Sequence, residues 1–439
     1  MTTSIARTLT SNGSRRKGTL SFWYKKCEVG TSRMVYQSYT SGGNNHNILF
    51  NTDDTLRFTS QVSSSKKIDL VTTRKFRDPN AWYHIVTAFD TEQGTDTNRA
   101  KMYINGVQET SFTNASGGSP TYPSQDQDLQ VNISGEHIYF NKNGDGAGME
   151  ATCVYSHIHY IDGTMYDASA FGSTDSTTGE WKINTNPNVT YGTNGFFIFK
   201  DGNSVTDQSG NSNDFSVEQG TITKSEDNPS NIFATLNPLL GPRYSTQTFS
   251  NGNTTVAGGS GHEMHMSTLA IPNSGKYYYE AKLDAIGNFP IIGVVEAKNV
   301  LTNNKDINTY GYGYFFNGNI VKLGGSPISP TYSSYTTGDF IGVAVDCDNK
   351  EIYFSKNGTW QNSSDPANRT NPAITGLLTE DLMLGVNNYG GTWSVNFGNG
   401  AFGSTQLTGT TYQGNGNLGI FKYPVPTGFR ALCTKALNL

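Results

Sequence analysis

The alternation of apolar and polar positions predicts β-strands almost throughout the chain. Ile341, Val343, Val345 and Cys347 fall on one face and Gly342, Ala344 and Asp346 on the other, the two-residue period of a strand in a sheet. Asp348-Asn349 then turns the chain. The return strand sets Ile352 and Phe354 against Glu351, Tyr353 and Ser355, and it stops at Asn357-Gly358, residues that tolerate positive φ in tight turns. Residues 338–358 therefore read as a β-hairpin. A unit of the same order begins at Trp82: a strand ending in Asp90, a polar loop, a strand with Ala100, Met102 and Ile104 on one face, and a terminal Asn105-Gly106. Gly18 to Tyr24 (GTLSFWY) predicts another strand. From Lys276, Tyr277, Tyr279 and Ala281 oppose Tyr278, Glu280 and Lys282, and the run from Ile291 (IIGVVEA) is the expected partner. Similar units this far apart predict two related sandwiches.

Between them, residues 163–242 alternate short strands with Gly, Asn and Asp turns. Residues 195–201 predict one apolar strand, and DQSGNSNDF predicts a hairpin loop leading into Phe215 and Val217. The expected organisation is all-β: a sandwich over 1–162, a β-rich connector over 163–242 packed on it, and a second sandwich over 243–439. The length of 439 residues, too great for one ordinary sandwich, agrees with this. So do the 49 glycines and a charged content of only 15%, which describe short strands and tight turns and leave little room for helix.

A net charge of -5, with Lys and Arg not gathered into a stripe, excludes a phosphate-tracking surface, so no nucleic acid partner is expected. Cys27, Cys153, Cys347 and Cys433 lie far apart in sequence, without CxxC spacing, and are expected to be buried free thiols. The opening residues carry no apolar run of the signal-peptide kind and no later stretch has transmembrane length; synthesis in a cytosol, without membrane insertion, is the expectation.

The SFW strand from Ser21, the WYHIV strand from Trp82 and the MYING strand from Met102 resemble a laminin-G-like or pentraxin-like module of the concanavalin A-type lectin class. The resemblance implies a jelly roll of two antiparallel sheets reaching to about Val154–Ile161, and binding of carbohydrate or protein, sometimes through calcium. Glycosidases of that class carry an E-x-D-x-x-E pattern, which this chain does not contain. KYYYEAKL from Lys276, YGYGYFFNG from Tyr310, the 338–358 hairpin, SVNFGNGAF from Ser394 and PVPTGFRALC from Pro424 together resemble a SPRY domain. That resemblance implies a second two-sheet sandwich that recognises partners through loops at one edge, with no cofactor. The phrases YGTNGF, DQSGN and NIFATLNP, and the ending PTGFRALCTKALNL, are similar to structural and fibre-like proteins of tailed, especially marine, bacteriophages.

Several constellations have plain alternatives. Gly398, Gly400 and Gly403 satisfy G-x-G-x-x-G, but no helical period follows to meet a pyrophosphate, so they read as turn residues. His262 and His265 in HEMH are three apart, not the four a zinc-binding helix needs. His157 and His159 share one strand face without a third ligand, and read as exposed or cross-strand histidines. Asp201, Asp207 and Asp214 supply oxygen ligands of the kind calcium takes, yet the loop lacks EF-hand spacing, and Asx-turn chemistry explains the same residues. No cofactor is expected, with calcium at this loop as the alternative. No Ser or Cys stands in a G-x-S-x-G elbow, and sequons such as Asn357-Gly358-Thr359 are frequent by chance in so Asn- and Thr-rich a chain. Among the 24 tyrosines and 5 tryptophans, Tyr332, Tyr335 and Trp360 are the candidate ligand-binding aromatics, because rings at loops make stacking platforms for sugars and anchors for proteins.

These readings lead to a non-enzymatic, homo-oligomeric protein of a bacteriophage virion surface. It is expected to act as a tail-fibre or receptor-binding adhesin that contacts host surface glycan or protein and other virion proteins. Capsid decoration is the alternative, favoured by a chain that starts almost at once with a folded module; a carbohydrate-active enzyme is the reading from another class.

Overall fold

The alternating stretches form antiparallel sheets in the computed structural model, which describes residues 2–146, 148–240, 247–259, 261–299, 306–324, 327–328, 332–377 and 382–438. Strand accounts for 45% of the protein and helix for 4%, so the fold is all-β as expected. The chain divides into two compact units, residues 1–222 and 223–439.

In the first unit an eight-stranded sheet runs in the order Phe112–Thr113, Ser65–Lys75, Thr55–Val62, Asn44–Phe50, Arg33–Ser41, His137–Phe140, Ser4–Thr8, Ser216–Gln219. The second sheet runs Phe196–Ile198, Cys153–Asp162, Lys17–Lys26, Trp82–Asp90, Ala100–Ile104, Val107–Gln108. Lys17–Lys26 shows why alternation specifies the layer. Leu20, Phe22 and Tyr24 enter the core with Phe58, Ile85 and Met102, each fully buried side chain contributing roughly 1.5–3 kcal/mol of transfer free energy. Thr19, Ser21 and Trp23, on the other face, are also buried. A second apolar layer of Val86, Tyr103, Ile161, Ala168 and Phe171, with Trp181 against it, covers that side.

The covering layer comes from the segment expected to be a β-rich connector packed on the first sandwich. Residues 163–222 are integral to the first unit: Phe196–Ile198 pairs with Cys153–Asp162, and Ser216–Gln219 with Ser4–Thr8. Residues 223–240 belong to the second unit, where Phe233 bridges Cys433 and Leu236 bridges Ser267. The division thus runs through 163–242 instead of at its ends, because the two parts complete different sheets.

The second unit pairs a sheet ordered Thr248–Ser250, Thr255–Ala257, Thr392–Asn396, Lys276–Ala285, Phe340–Asp346, Glu351–Lys356, Thr359–Trp360, with Ile374–Thr375 also on Glu351–Lys356, against Glu263–Ile271, Leu382–Asn388, Ile291–Glu296, Gly311–Phe315, Ile320–Val321, Pro327–Ile328. The hairpin register is the one the pattern implies, Val343 opposite Phe354 and Val345 opposite Ile352, all with no exposure. Tyr279 fastens the two layers: its hydroxyl donates to the carbonyls of Gly293 and Gly385 at 2.6 and 2.9 Å. The outer face of the hairpin is buried as well. Tyr278, Ala344 and Tyr353 lie under Phe421, Phe429, Ala431 and Cys433 of the closing segment. That segment is pinned by Glu280, whose carboxylate accepts from the backbone N–H groups of Lys422 and Tyr423, both at 2.9 Å, and from the Tyr278 hydroxyl at 3.0 Å.

Candidate functional site

Two exposed large apolar residues stand close together on one loop of the second unit. Lys276–Ala285 ends, four residues cross to Pro290, and Ile291–Glu296 begins; within that crossing Ile286 is 41% exposed and Phe289 39%. Large apolar side chains in water need a physical reason, and here the loop cannot retract. Its backbone is tied at every step. Ile286 N donates to Thr337 Oγ1 at 2.9 Å, Asn288 N to the Tyr389 carbonyl at 2.8 Å, and Asn387 Nδ2 to the Phe289 carbonyl at 2.8 Å. The Pro290 carbonyl accepts from Phe316 N at 3.1 Å and from the Tyr335 hydroxyl at 2.9 Å. Gly287 is obligatory at its place, since a Cβ there would stand 2.1 Å from the Tyr389 carbonyl oxygen.

The tied loop holds a row of rings. Phe289 lies 5.8 Å from Phe315 and 6.4 Å from Tyr389, with planes inclined by only 10° and 11°. His262 closes the row at 4.4 Å from Phe289 and faces Asp306 at 3.3 Å. Asp306 is itself fixed as the cap of the short helix Ile307–Tyr310, accepting from Thr309. The result is a rigid aromatic shelf, half in water, built from four separate segments.

The aromatics expected to bind ligand are placed differently. Tyr332 and Tyr335 are core residues, 7% and 2% exposed, packed edge to face on Tyr314. Neither offers an open ring face, because loop backbone folds over both: Tyr332 N donates to the Gly318 carbonyl and Tyr335 N to the Phe316 carbonyl. Tyr335 nevertheless supports the shelf, since its hydroxyl bridges the carbonyls of Pro290 and Tyr314. Trp360, on the strand Thr359–Trp360 of the other sheet, is partly buried 6.3 Å from Tyr278 and packs on the apolar layer under the closing segment.

The remaining constellations resolve into structure. Gly398, Gly400 and Gly403 all have positive φ; Asn396 Oδ1 accepts from the N–H groups of Gly398 and Gly400, and Gly403 lies in the turn between Ala401–Phe402 and Thr405–Gln406, so the turn reading holds. Glu263–Ile271 is a strand, and His265 is buried within it. His157 and His159 do not alternate simply. A bulge separates Ser156 from His159 and puts His157 at φ 47°, so both rings contact Phe197, at 5.7 and 3.9 Å, instead of facing solvent. Burial pushes His157 down to about 4 and His159 well below its usual value. In the 201–214 loop the Asp207 carboxylate accepts from Phe197 N, Ser209 N, Ser209 Oγ and Asn213 N, and Asp214 Oδ1 from Asp207 N. Both Asp207 oxygens are thus taken up in Asx-type turns. Among the described residues no group of three or more His, Cys, Asp or Glu side chains is placed to hold a metal.

Beside this loop the first unit has an open cleft of about 490 Å³ lined by Arg7, Thr8, Asn211, Asn213 and Asp214. Its one cation is committed: Arg7 donates to Asn213 Oδ1 and to the Asn194 carbonyl. Burial lowers the Arg7 pKa, opposed by the nearby Asp207 and Asp214 carboxylates.

Comparison with known proteins agrees with the two-unit division. Residues 3–147 match the concanavalin A-like lectin/glucanases superfamily and residues 276–368 the SPRY domain. Similar solved structures include the SPRY domain of human HERC1 (18% identity, 40% of this chain and 99% of that one, TM-score 0.30). Domains LG4-5 of the mouse laminin alpha1 chain are similar at 10% identity, over 97% and 92% of the two chains, with TM-score 0.30. The SAP-like pentraxin from Limulus polyphemus is similar at 15% identity, over 36% and 70%, with TM-score 0.27. No curated protein sequence matches, and no enzyme family is found among the matches. The first unit thus holds a concanavalin A-like module and the second a SPRY domain, both typically modules of binding or adhesion.

Proposed function

We propose that this chain is a non-enzymatic recognition protein carried on the surface of a tailed bacteriophage, where repeated copies attach the particle to glycan or protein of the host surface. The observation that carries the binding reading is the shelf of Phe289, Tyr389, Phe315 and His262, held open on a scaffold that leaves it no way to close. The particle assignment is supported by the YGTNGF, DQSGN and NIFATLNP phrases alone. A small shelf binds weakly by itself. Symmetric repetition on a virion raises avidity by roughly 10² to 10⁴ without a new contact.

Quantitative mass spectrometry of density-banded particles, followed by antibody labelling, tests the assignment. Stoichiometric, multiple-copy presence with label on the tail is the expected result. Label confined to the head replaces adhesion by capsid decoration, and absence from the particle refutes the virion assignment.

A further inference from the structure

We propose that the Phe289–Tyr389 shelf takes the ring face of a neutral hexopyranose glycan, an inference that rests on the recognition reading above and names its ligand. The first reason is shape. A pyranose ring offers one flat face of C–H groups with hydroxyls around its rim, and it lies well on aromatic rings held in a common orientation. The three rings, within about ten degrees of parallel in sequence, are so held. Rings that are already fixed lose little conformational entropy on binding.

The second reason is the rim. Exposed Asn288 and Asn317 stand in the turns next to Phe289 and Phe315 and supply neutral amides, and Gly390 next to Tyr389 is exposed as well. The third reason is charge. Lys282 and Asp284, at the root of the loop, pair with each other at 2.8 Å, and His262 faces Asp306. Among the described residues the cation at the root of this loop is thus paired and is not free to take the carboxylate of a uronic or sialic acid or the phosphate of a nucleotide, which suits an uncharged ligand better. A protein partner fits less well. A stable interface needs about 800 Å² from each side, and Ile286 and Phe289 are the only strongly exposed large apolar residues that the described part of this loop cluster supplies.

Saturation-transfer NMR on the full chain tests this with maltohexaose, cellohexaose and mannohexaose as neutral probes and oligogalacturonate as the charged one. Transfer to the ring C–H protons of at least one neutral probe is expected. Phe289→Ala with Tyr389→Ala should weaken it tenfold or more, while Phe289→Tyr keeps it and Val107→Ala, on the first unit, leaves it unchanged. Thermal melts of the same variants show that they are folded. No transfer from any neutral probe, transfer undiminished in the double variant, or preference for oligogalacturonate each overturns the inference. These outcomes are independent of the virion measurements: a protein found on particles but silent toward sugars retains the recognition role and loses this ligand.

Discussion

Glu280 gives the sharpest quantitative test of the second unit. Its carboxyl group is fully buried, and burial pushes its pKa up to about 7 despite the donors from Lys422, Tyr423, Tyr278 and Asn396. A carboxyl that titrates near 4.5 when unfolded and near 7 when folded makes the native state the better proton binder between those values. Stability from this group is therefore greatest in acid and is lost as pH rises from 4.5 through 7. Between pH 5 and pH 8 the loss amounts to about 2–3 kcal/mol. Glu280→Gln removes the titration and keeps an oxygen for one of the two N–H groups, since Lys422 N donates to Oε2 and Tyr423 N to Oε1; the cost of the lost acceptor does not vary with pH and cancels in the comparison across pH. The assay is urea denaturation of the full chain at pH 5, 6.5 and 8, with pulsed hydrogen exchange read on peptides covering 276–285 and 418–430. Buried His265, pushed down to about 4, drives the same unit the opposite way in acid, so the informative quantity is the difference between wild type and variant. That difference should shift by about 2–3 kcal/mol across the range. Superimposable pH profiles would show that Glu280 is not ionised under strain, and the account of how the closing segment is docked would fail. Glu280→Ala adds a separate cost of about 1–3 kcal/mol for each backbone N–H left unpaired.

Three further outcomes are expected. The first unit should weaken in acid: burial holds His46 and His84 at about 3, His157 at about 4 and His159 lower still, so the native state binds fewer protons. Its stability, full above pH 6.5, should fall by up to about 1.4 kcal/mol per pH unit for each histidine as pH drops toward 4; a flat profile at peptides covering 153–162 between pH 7 and 5 refutes this. Val345→Asp places an unpaired charge at a fully buried position and should cost the second unit several kcal/mol, and a variant whose second unit melts within a few degrees of the parent shows that the hairpin is not in the core. Incubation with bacterial polysaccharides should release no reducing ends above background, whereas turnover abolished by one carboxylate substitution would establish an enzyme.

The hairpin was legible because its signal is local. Period-two alternation over Ile341–Cys347 and Ile352–Phe354 depends only on which face meets the core, and the register follows from a short turn. What alternation does not carry is the covering of a second face. Ser21, Trp23 and His84 look like the outer residues of a half-buried sheet, yet Phe171 and Trp181 lie against His84 from more than 80 residues away, with Trp181 Nε1 donating to His84 Nδ1 at 3.0 Å. Tyr353 and Ala344 are likewise covered by Phe421 and Phe429. Polar–apolar alternation reports burial on one side, and it is silent where small or polar residues tolerate a second layer. For the same reason the stretch 163–242 read as a connector: its strands are short, Phe196–Ile198 and Ser216–Gln219 filling edges of sheets begun elsewhere and Gly172–Thr174 and Trp181–Ile183 pairing with each other.

The binding aromatics show a different limit. SPTYSSYTTG around Tyr332 and Tyr335 and GNFP around Phe289 are the same kind of text, rings among turn residues. The difference between a buried ring and an open one lies in hydrogen bonds to partners distant in sequence. Tyr335 lies inward with its hydroxyl on two carbonyls, Pro290 and Tyr314, and Tyr332 is held inward by its backbone N–H on the Gly318 carbonyl. Phe289 has no polar atom to satisfy, so nothing penalises leaving it outside except its apolar area, and Asn387 and Tyr389 hold its backbone where the ring must face water. Tyr335 therefore belongs to the site through what it supports: its inward-facing hydroxyl braces Pro290, the residue next to the ring that a ligand would touch.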